Sequence, residues 1–215
     1  MFAPVMKEVW RWEVPDPEDH WSMVGHLIVY GDGVVLVDPP MHPDLPIYLE
    51  RLGGIKAIIL TTHDHTRGVR YLRRVFGCPV YVPNQADQAV LLQAGIGEGI
   101  AYDEATDLPG GLQAIRCQVR VPMWETASPY LDEMVLVYQS HIAVTGDVAM
   151  GDFYGRVLAC PEGFNHPADE IKVRASLTTL AGILPTRVDI LLAGHGTDLL
   201  KDLRPQLERR IEEWD

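Results

Sequence analysis

The segment His63-Asp64-His65 brings two imidazoles and a carboxylate together within three residues. It follows closely on an apolar run at 57–60 that predicts a buried strand, and a helix is expected to begin near Gly68. Side chains at the end of a strand, just before a helix, are held rigidly and face an open crevice. Histidine and aspartate supply nitrogen and oxygen ligands suited to zinc, iron or manganese. The segment therefore predicts a site of chemistry, with a metal ion as the first candidate.

Two further apolar strands are predicted to lead into a ligand-type side chain. Asp147 comes shortly after the strand-like run 142–145, and His195 stands between Gly194 and Gly196 after a similar run. Glycine lets the backbone approach a bound group closely and adopt positive φ. Three separate strand ends that carry His or Asp indicate a shared site more strongly than any one of them alone.

Composition limits the classes of protein to which this chain can belong. Its 215 residues predict one domain, 1–215, and the 47% hydrophobic and 22% charged shares are typical of soluble globular proteins. The net charge of −12 argues against nucleic-acid binding and against anionic membrane surfaces, because both need a basic face. No apolar run approaches the roughly 18–20 residues of a membrane span. We expect a small-molecule substrate, and the sequence leaves the oligomeric state open.

Cysteine usage and the start of the chain bear on localisation. Cys78, Cys117 and Cys160 are widely spaced, which favours buried free thiols in a reducing compartment over a disulfide framework or a cysteine metal site. The first 17 residues include Trp10, Trp12 and several charges, so no signal peptide is expected. The prediction is a cytoplasmic protein.

Hydrophobic periodicity predicts an α+β chain. The turn signal Asp32-Gly33 joins two strands into an antiparallel hairpin, which excludes a purely parallel sheet. Segment 94–111 is rich in glycine and acidic residues and is predicted to be a loop, whereas 151–166 shows no clear period. We expect two sheets facing each other with helices outside. The predicted strands are 8–14, 24–30, 34–37, 57–60, 79–82, 112–121, 134–138, 142–145 and 189–193, and the predicted helices are 43–52, 66–76, 84–93, 169–184 and one capped by Thr197.

Several of these segments together resemble the metallo-β-lactamase superfamily, the αββα sandwich hydrolases that include glyoxalase II-like enzymes. The matching segments are Leu36-Val37-Asp38-Pro39, 59–68, Thr145-Gly146-Asp147 and 176–196, in the order of the family. The resemblance extends over about 24–196. It implies a four-layer αββα sandwich of two mixed β-sheets, with helices on the outer faces.

The first metal motif of that family, H-x-H-x-D-H-x-G-G, matches this sequence incompletely. In the favoured register, Asp64 and His65 fall on the D-H pair and Arg67 replaces the first glycine. The first two histidines of the motif then become Leu60 and Thr62. This register is favoured because it needs no gap in the helix that follows.

A second register remains open. It places His63 and His65 on the first two histidines of the motif, so that Arg67 and Gly68 replace the D-H pair. In either register Trp124 stands about where the family carries another ligand histidine. Neither register supplies a complete set of ligands for two metal ions.

The resemblance implies one metal site, with ligands drawn from Asp64, His65, Asp147 and His195 and with His63 nearby. One zinc ion is expected, with iron or manganese as alternatives, and it would activate water for hydrolysis. Asp64 would act as orienter or proton acceptor if it is not itself a ligand. Arg67 is expected to bind an anionic group of the substrate, and Trp124 to line the substrate pocket.

The alternative is a degenerate, metal-free member of the fold that acts as a binding or scaffold module. In this hypothesis the Arg67 guanidinium replaces the charge of the metal and pairs with Asp64 or Asp147. Asp38, at another strand end, is expected to support the backbone of the metal motif rather than to react.

Overall fold

The computed structural model describes residues 2–16, 22–120, 130–159 and 170–213. The chain divides into two compact units, Met1–Leu112 and Gln113–Asp215. Within the described ranges, no helix combines the length and the apolar character needed to cross a membrane. That 1–215 form a single domain stays a prediction.

The first unit is built on a mixed sheet of seven strands in sequential order. Strands β1 to β4 are antiparallel neighbours, and β4 to β7 are parallel neighbours. The strands are β1 Ala3–Met6, β2 Val9–Pro15, β3 Ser22–Tyr30, β4 Gly33–Val37, β5 Ile55–Ile59, β6 Val80–Pro83 and β7 Ile100–Tyr102, and the helices are α1 Leu45–Arg51, α2 Val69–Phe76 and α3 Gln88–Gln93.

The centre of this sheet is apolar on both faces, as parallel strands flanked by helices require. Every residue of β4 is buried, and buried side chains of α1 and α2 join the same hydrophobic cluster. The predicted hairpin is present, with Tyr30 opposite Gly33 and Gly31 at φ +62°. Helix α2 ends at Gly77, which adopts the left-handed conformation typical of a helix end.

The second unit contains a four-stranded mixed sheet in the order β13-β10-β9-β8 and a two-stranded sheet of β11 and β12. Strand β10 is parallel to β13 and antiparallel to β9. Helices α4 and α5 cover an apolar cluster of this unit. The elements are β8 Leu112–Arg120, β9 Tyr130–Tyr138, β10 Ile142–Thr145, β11 Ala149–Gly151, β12 Val157–Ala159, α4 Glu170–Ile183, β13 Ile190–Ala193 and α5 Leu203–Glu212.

The α+β class is confirmed, but three local predictions were wrong. Helix α3 is capped by Asp87, which accepts from the Ala89 N–H at 2.8 Å, rather than by Asn84. The final helix begins at Leu203 because Thr197 and Leu199 form bridges with β11 and β13 instead. Segment 94–111 contains β7, and 151–166 contains β12, which are too short to show a sequence period.

Candidate metal centre

In the first unit, a buried carboxylate organises the turn after β5. Asp38 follows β4, and because β4 is parallel to β5 and Val37 pairs with Ile59, the ends of the two strands lie side by side. Its carboxylate accepts from the Thr61 N–H at 2.9 Å and from the Thr61 hydroxyl at 2.5 Å, and it contacts His65 Nδ1 at 2.8 Å. The prediction that Asp38 supports the backbone of this segment is confirmed.

The electrostatics of this group determine which ring nitrogen of His65 carries the proton. Burial alone would raise the pKa of Asp38, but the His65 ring, the Arg67 charge and the Thr61 hydroxyl outweigh it, and the pKa is lowered. An ionised carboxylate only accepts hydrogen bonds, so Nδ1 of His65 is the protonated nitrogen. This arrangement is typical of metal-binding histidines, which donate one ring N–H to a carboxylate and coordinate through the other nitrogen.

The other predicted residues of this turn lie closer to solvent. The side chains of His63 and Asp64 are 30% and 63% exposed, and His63 Nε2 lies 3.7 Å from Asp64 Oδ1. Arg67 donates to the Val24 carbonyl at 3.2 Å. Arg67 has φ +22° and Asp38 has φ +46°, and residues other than glycine rarely adopt positive φ. Such strain concentrates at functional sites.

In the second unit, the parallel pairing of β10 and β13 brings two predicted residues together. Thr145 lies opposite Ala193, and the Gly194 N–H donates to the Thr145 carbonyl at 2.8 Å. Just beyond these strand ends, Asp147 Oδ1 lies 3.3 Å from His195 Nε2. Both side chains are largely buried, at 13% and 9% exposure.

The spacing of this pair fits a shared metal ion. Two ligand atoms at about 2.0–2.2 Å from one tetrahedral zinc ion are about 3.3–3.6 Å apart. The measured 3.3 Å between Asp147 Oδ1 and His195 Nε2 lies within that interval. A carboxylate oxygen and an imidazole nitrogen are also the ligand types that zinc takes in catalytic sites. The residues of this unit therefore suit a divalent metal by both chemistry and distance.

Two buried carboxylates that sequence reasoning missed hold the loops beneath this pair. Glu133 on β9 is fully buried and accepts from the backbone N–H groups of 146–148. Asp198 accepts from the Ala193 N–H at 3.1 Å. The available signal for Glu133 was that β9 carries two adjacent acids, Asp132 and Glu133, and because neighbouring side chains of a strand point to opposite faces, one of the two must face inward. Trp124, predicted to line the substrate pocket, lies outside the described residues.

Comparison with known proteins adds one relative in sequence. No protein-family model matches the chain. A hydroxyacylglutathione hydrolase from Thiobacillus denitrificans is 30% identical over 177 residues, covering 80% of this chain. The chain matches only 60% of that protein's length.

Solved structures decide the fold. The chain superposes on DIM-1 metallo-β-lactamase exposed to ceftazidime with a TM-score of 0.71 and 14% identity, covering 99% of this chain and 94% of the other. For the mono-zinc form of FIM-1 from Pseudomonas aeruginosa, the TM-score is 0.69 and the sequence identity 16%, and the superposition covers 99% of this chain and 93% of the other. For the metallo-β-lactamase from Pontibacter korlensis, the TM-score is 0.68 and the sequence identity 14%, and the superposition covers 99% of this chain and 97% of the other.

The chain has the metallo-β-lactamase fold. The resemblance read from the sequence motifs is thereby confirmed.

Within this metallo-β-lactamase fold, two positions of the first metal motif lack ligand side chains in the favoured register. Leu60 is fully buried and belongs to the apolar cluster of the first unit. Thr62 is also buried, and its hydroxyl lies 3.4 Å from the Asp64 N–H. An alkyl and a hydroxyl side chain do not replace two imidazoles as zinc ligands.

Proposed function

We propose that this protein is a metal-dependent hydrolase that holds a single zinc ion through His65, Asp147 and His195. The buried Asp147–His195 pair, with ligand atoms 3.3 Å apart, carries this proposal. The sequence similarity to a hydroxyacylglutathione hydrolase supports the assignment to hydrolysis. The orientation of His65 by Asp38 supports its role as the third ligand.

Two backbone observations support the register in which Asp64 and His65 occupy the D-H pair. Arg67 has φ +22°, as expected where a side chain replaces a glycine of the motif. A Cβ atom at Gly68 would lie 2.8 Å from the Pro39 carbonyl oxygen, so this position requires glycine, as does the last position of the motif. His63 remains a candidate ligand only in the other register.

The ion, when bound, would lower the pKa of a water molecule and polarise the scissile group of a small-molecule substrate. The chain supplies the remaining functions. Asp64, exposed on the turn, serves as a fourth ligand or as the proton acceptor. Arg67 holds an anionic group of the substrate.

Metal content tests the proposal directly. Protein purified without chelator is expected to contain about one zinc, iron or manganese ion per chain, measured by inductively coupled plasma mass spectrometry. Asp147→Ala and His195→Ala should both lose it. His141→Ala is the matched control, since His141 is exposed and its Nδ1 lies 3.4 Å from the Arg187 carbonyl oxygen. Substoichiometric metal, with no thermal shift on adding Zn²⁺ or Mn²⁺, would refute the proposal.

Activity and the role of Asp64 require a second experiment. The metal-loaded protein is assayed against thioesters, lactones, phosphoesters and β-lactams, and one class should be hydrolysed in a chelator-sensitive way. Asp64→Asn then separates the two roles of this residue. Loss of metal identifies a ligand, whereas retained metal with a low kcat identifies the proton acceptor.

One observation favours the metal-free binding module as a second candidate. Burial raises the pKa of Asp38, whereas first the His65 ring and then the Arg67 charge lower it, so a guanidinium charge already acts on a carboxylate of this segment. The binding module predicts that the wild-type protein neither contains nor takes up metal and hydrolyses none of the four substrate classes. The metal analysis above therefore decides between the two candidates.

A further inference from the structure

We propose that Glu133 is a positioning residue for the metal ligand Asp147, acting through the backbone of the loop that carries it. The proposal rests on the metal site proposed above. Glu133 belongs to β9, opposite the loop that follows β10. The antiparallel register sets Leu136 opposite Val144, and extending it by three residues beyond that pair would set Glu133 opposite Asp147.

The carboxylate of Glu133 binds three consecutive backbone N–H groups. Oε1 accepts from Gly146 at 3.0 Å, and Oε2 accepts from Asp147 at 2.6 Å and from Val148 at 3.1 Å. The shortest of these contacts is to the N–H of Asp147 itself. An ionised carboxylate has two acceptor oxygens and no donor, so it can satisfy all three groups at once. Glutamine at this position would have a single acceptor oxygen and would turn an NH₂ group toward donors.

Closing the turn at 145–149 does not by itself require a buried, charged side chain such as that of Glu133. Glu133 is fully buried, and a buried carboxylate is costly unless its hydrogen bonds are complete. The turn is also closed by the Thr145 hydroxyl, which donates to the Ala149 carbonyl at 2.8 Å. A neutral side chain would therefore suffice to keep the chain reversal. The use of a buried charge points to a requirement beyond the fold.

That requirement concerns the carboxylate of Asp147. Successive backbone N–H groups in a turn form a concave site for anions. Without Glu133, the N–H groups of 146–148 would be available to the side chain of Asp147. Because Glu133 occupies them, the Asp147 carboxylate remains directed toward His195, at 3.3 Å. Glu133 therefore keeps the ligand available to a cation.

The test compares Glu133→Gln with Asp132→Asn, which removes the neighbouring carboxylate of β9. Asp132 pairs with Arg116 and lies outside the proposed site. The Kd for Zn²⁺ is measured by competition with a chromogenic chelator, and the Tm of the metal-free proteins by circular dichroism. Loss of an outer-shell partner typically weakens metal affinity 10–100-fold. Glu133→Gln should weaken Zn²⁺ binding at least about tenfold, and it should also lower the metal-free Tm because buried N–H groups of 146–148 lose their acceptor. Asp132→Asn should change the Kd less than about twofold.

The outcomes separate this proposal from the proposed function. A wild-type protein that binds no metal overturns both. A wild-type protein that binds one ion, together with a Glu133→Gln variant of equal affinity, overturns only the positioning role. A lower metal-free Tm with unchanged affinity shows a merely structural residue and likewise overturns it. Glu133→Asp retains the charge at shorter reach and should show intermediate affinity.

A measurement on the unmodified protein keeps the proposal falsifiable if Glu133→Gln does not fold. Amide hydrogen exchange of 146–148 is followed by NMR in the metal-free wild-type protein. The three N–H groups bound to Glu133 should exchange at least about tenfold more slowly than in an unstructured peptide. Exchange at the unstructured rate would show that the carboxylate does not hold the loop, and the proposal would fail.

Discussion

The two units of this protein each use a buried carboxylate to support a candidate metal ligand, but they do so differently. In the first unit Asp38 contacts the ring of His65 directly and also binds Thr61. In the second unit the three hydrogen bonds that Glu133 accepts from 146–148 all come from backbone N–H groups. Asp38 thus orients a side chain, whereas Glu133 orients a segment of main chain.

The difference follows from the ligand that each carboxylate supports. An imidazole has a second nitrogen that can donate to a carboxylate, so its orientation and its tautomer are set by one contact. The carboxylate of Asp147 has no N–H or O–H when ionised, so a second carboxylate can orient it only through the backbone. The comparison predicts that breaking the first arrangement disturbs a ring and a strand end, and that breaking the second disturbs a loop.

The largest effect is expected from Asp38→Ala. This change leaves the Thr61 and His65 donors buried without their carboxylate, and removing one partner from a buried pair costs about 3–5 kcal/mol in unfolding free energy. Urea unfolding followed by circular dichroism measures it. Asp32→Ala is the control, because the ion pair of Asp32 with Lys56 lies on the surface, and no measurable change is expected there. A loss below about 1 kcal/mol for Asp38→Ala would contradict the account of the first unit.

Thr145→Val tests the loop of the second unit without touching Glu133. The change keeps the shape of the side chain but removes the buried hydroxyl that donates to the Ala149 carbonyl. Leaving that carbonyl unsatisfied should cost about 1–3 kcal/mol in the same urea assay. Thr178→Val removes a similar hydroxyl contact, to the Arg174 carbonyl, from the exposed face of α4, and a smaller loss is expected. Equal losses at both sites would show that burial of the loop contact is unimportant.

Backbone strain gives a smaller effect that can be compared between the units. Arg67 in the first unit and Ser140 in the second have φ of +22° and +60°. At each position the glycine variant should be more stable than the alanine variant by about 1 kcal/mol, because only alanine retains a Cβ atom. Thermal unfolding of Arg67→Gly against Arg67→Ala, and of the same pair at Ser140, measures this. A glycine advantage at Ser140 alone would show that the turn of Arg67 is unstrained.

The smallest expected effect is on the two buried thiols of the described residues, Cys78 in the first unit and Cys117 in the second. Cys160 lies outside those residues. Burial raises the pKa of Cys78 to about 11, against about 8.5 for a free thiol. The pKa of Cys117 is raised more strongly, by burial first and then by the charges of Glu133 and Asp132. The stability that each protonated thiol contributes is complete below about pH 8.5 and is lost as the pH rises through the folded pKa.

Alkylation by iodoacetamide at increasing pH, with peptide mass spectrometry, checks the order of titration. Cys78 should be modified first, near pH 11, and Cys117 only at a higher pH. Circular dichroism at each pH establishes that the protein is still folded. Modification of Cys117 before Cys78 would contradict the stronger rise of the Cys117 pKa, which is caused first by burial and then by the charges of Glu133 and Asp132.

Much of the fold could be predicted because apolar runs and turn residues are local signals. The hairpin at Gly33 and the strand ends that carry Asp38 and Asp147 follow from alternation, length and glycine placement. The strands β11 and β12 were missed, since three residues are too few to show a period. The predicted start of α5 was wrong because Thr197 and Leu199 form bridges with distant residues, and no local sequence pattern predicts such bridges.

The sequence by itself determined which chemistry is available: the His and Asp side chains at strand ends, the glycines beside them, and the motif positions where Leu60, Thr62 and Arg67 stand. Only the tertiary structure decided how those groups are held. The partners of Asp38 lie more than twenty residues away, and Glu133 meets its loop through the pairing of β9 with β10. Hydrogen bonds between distant segments depend on strand register, and register is set by the packing of the whole sheet.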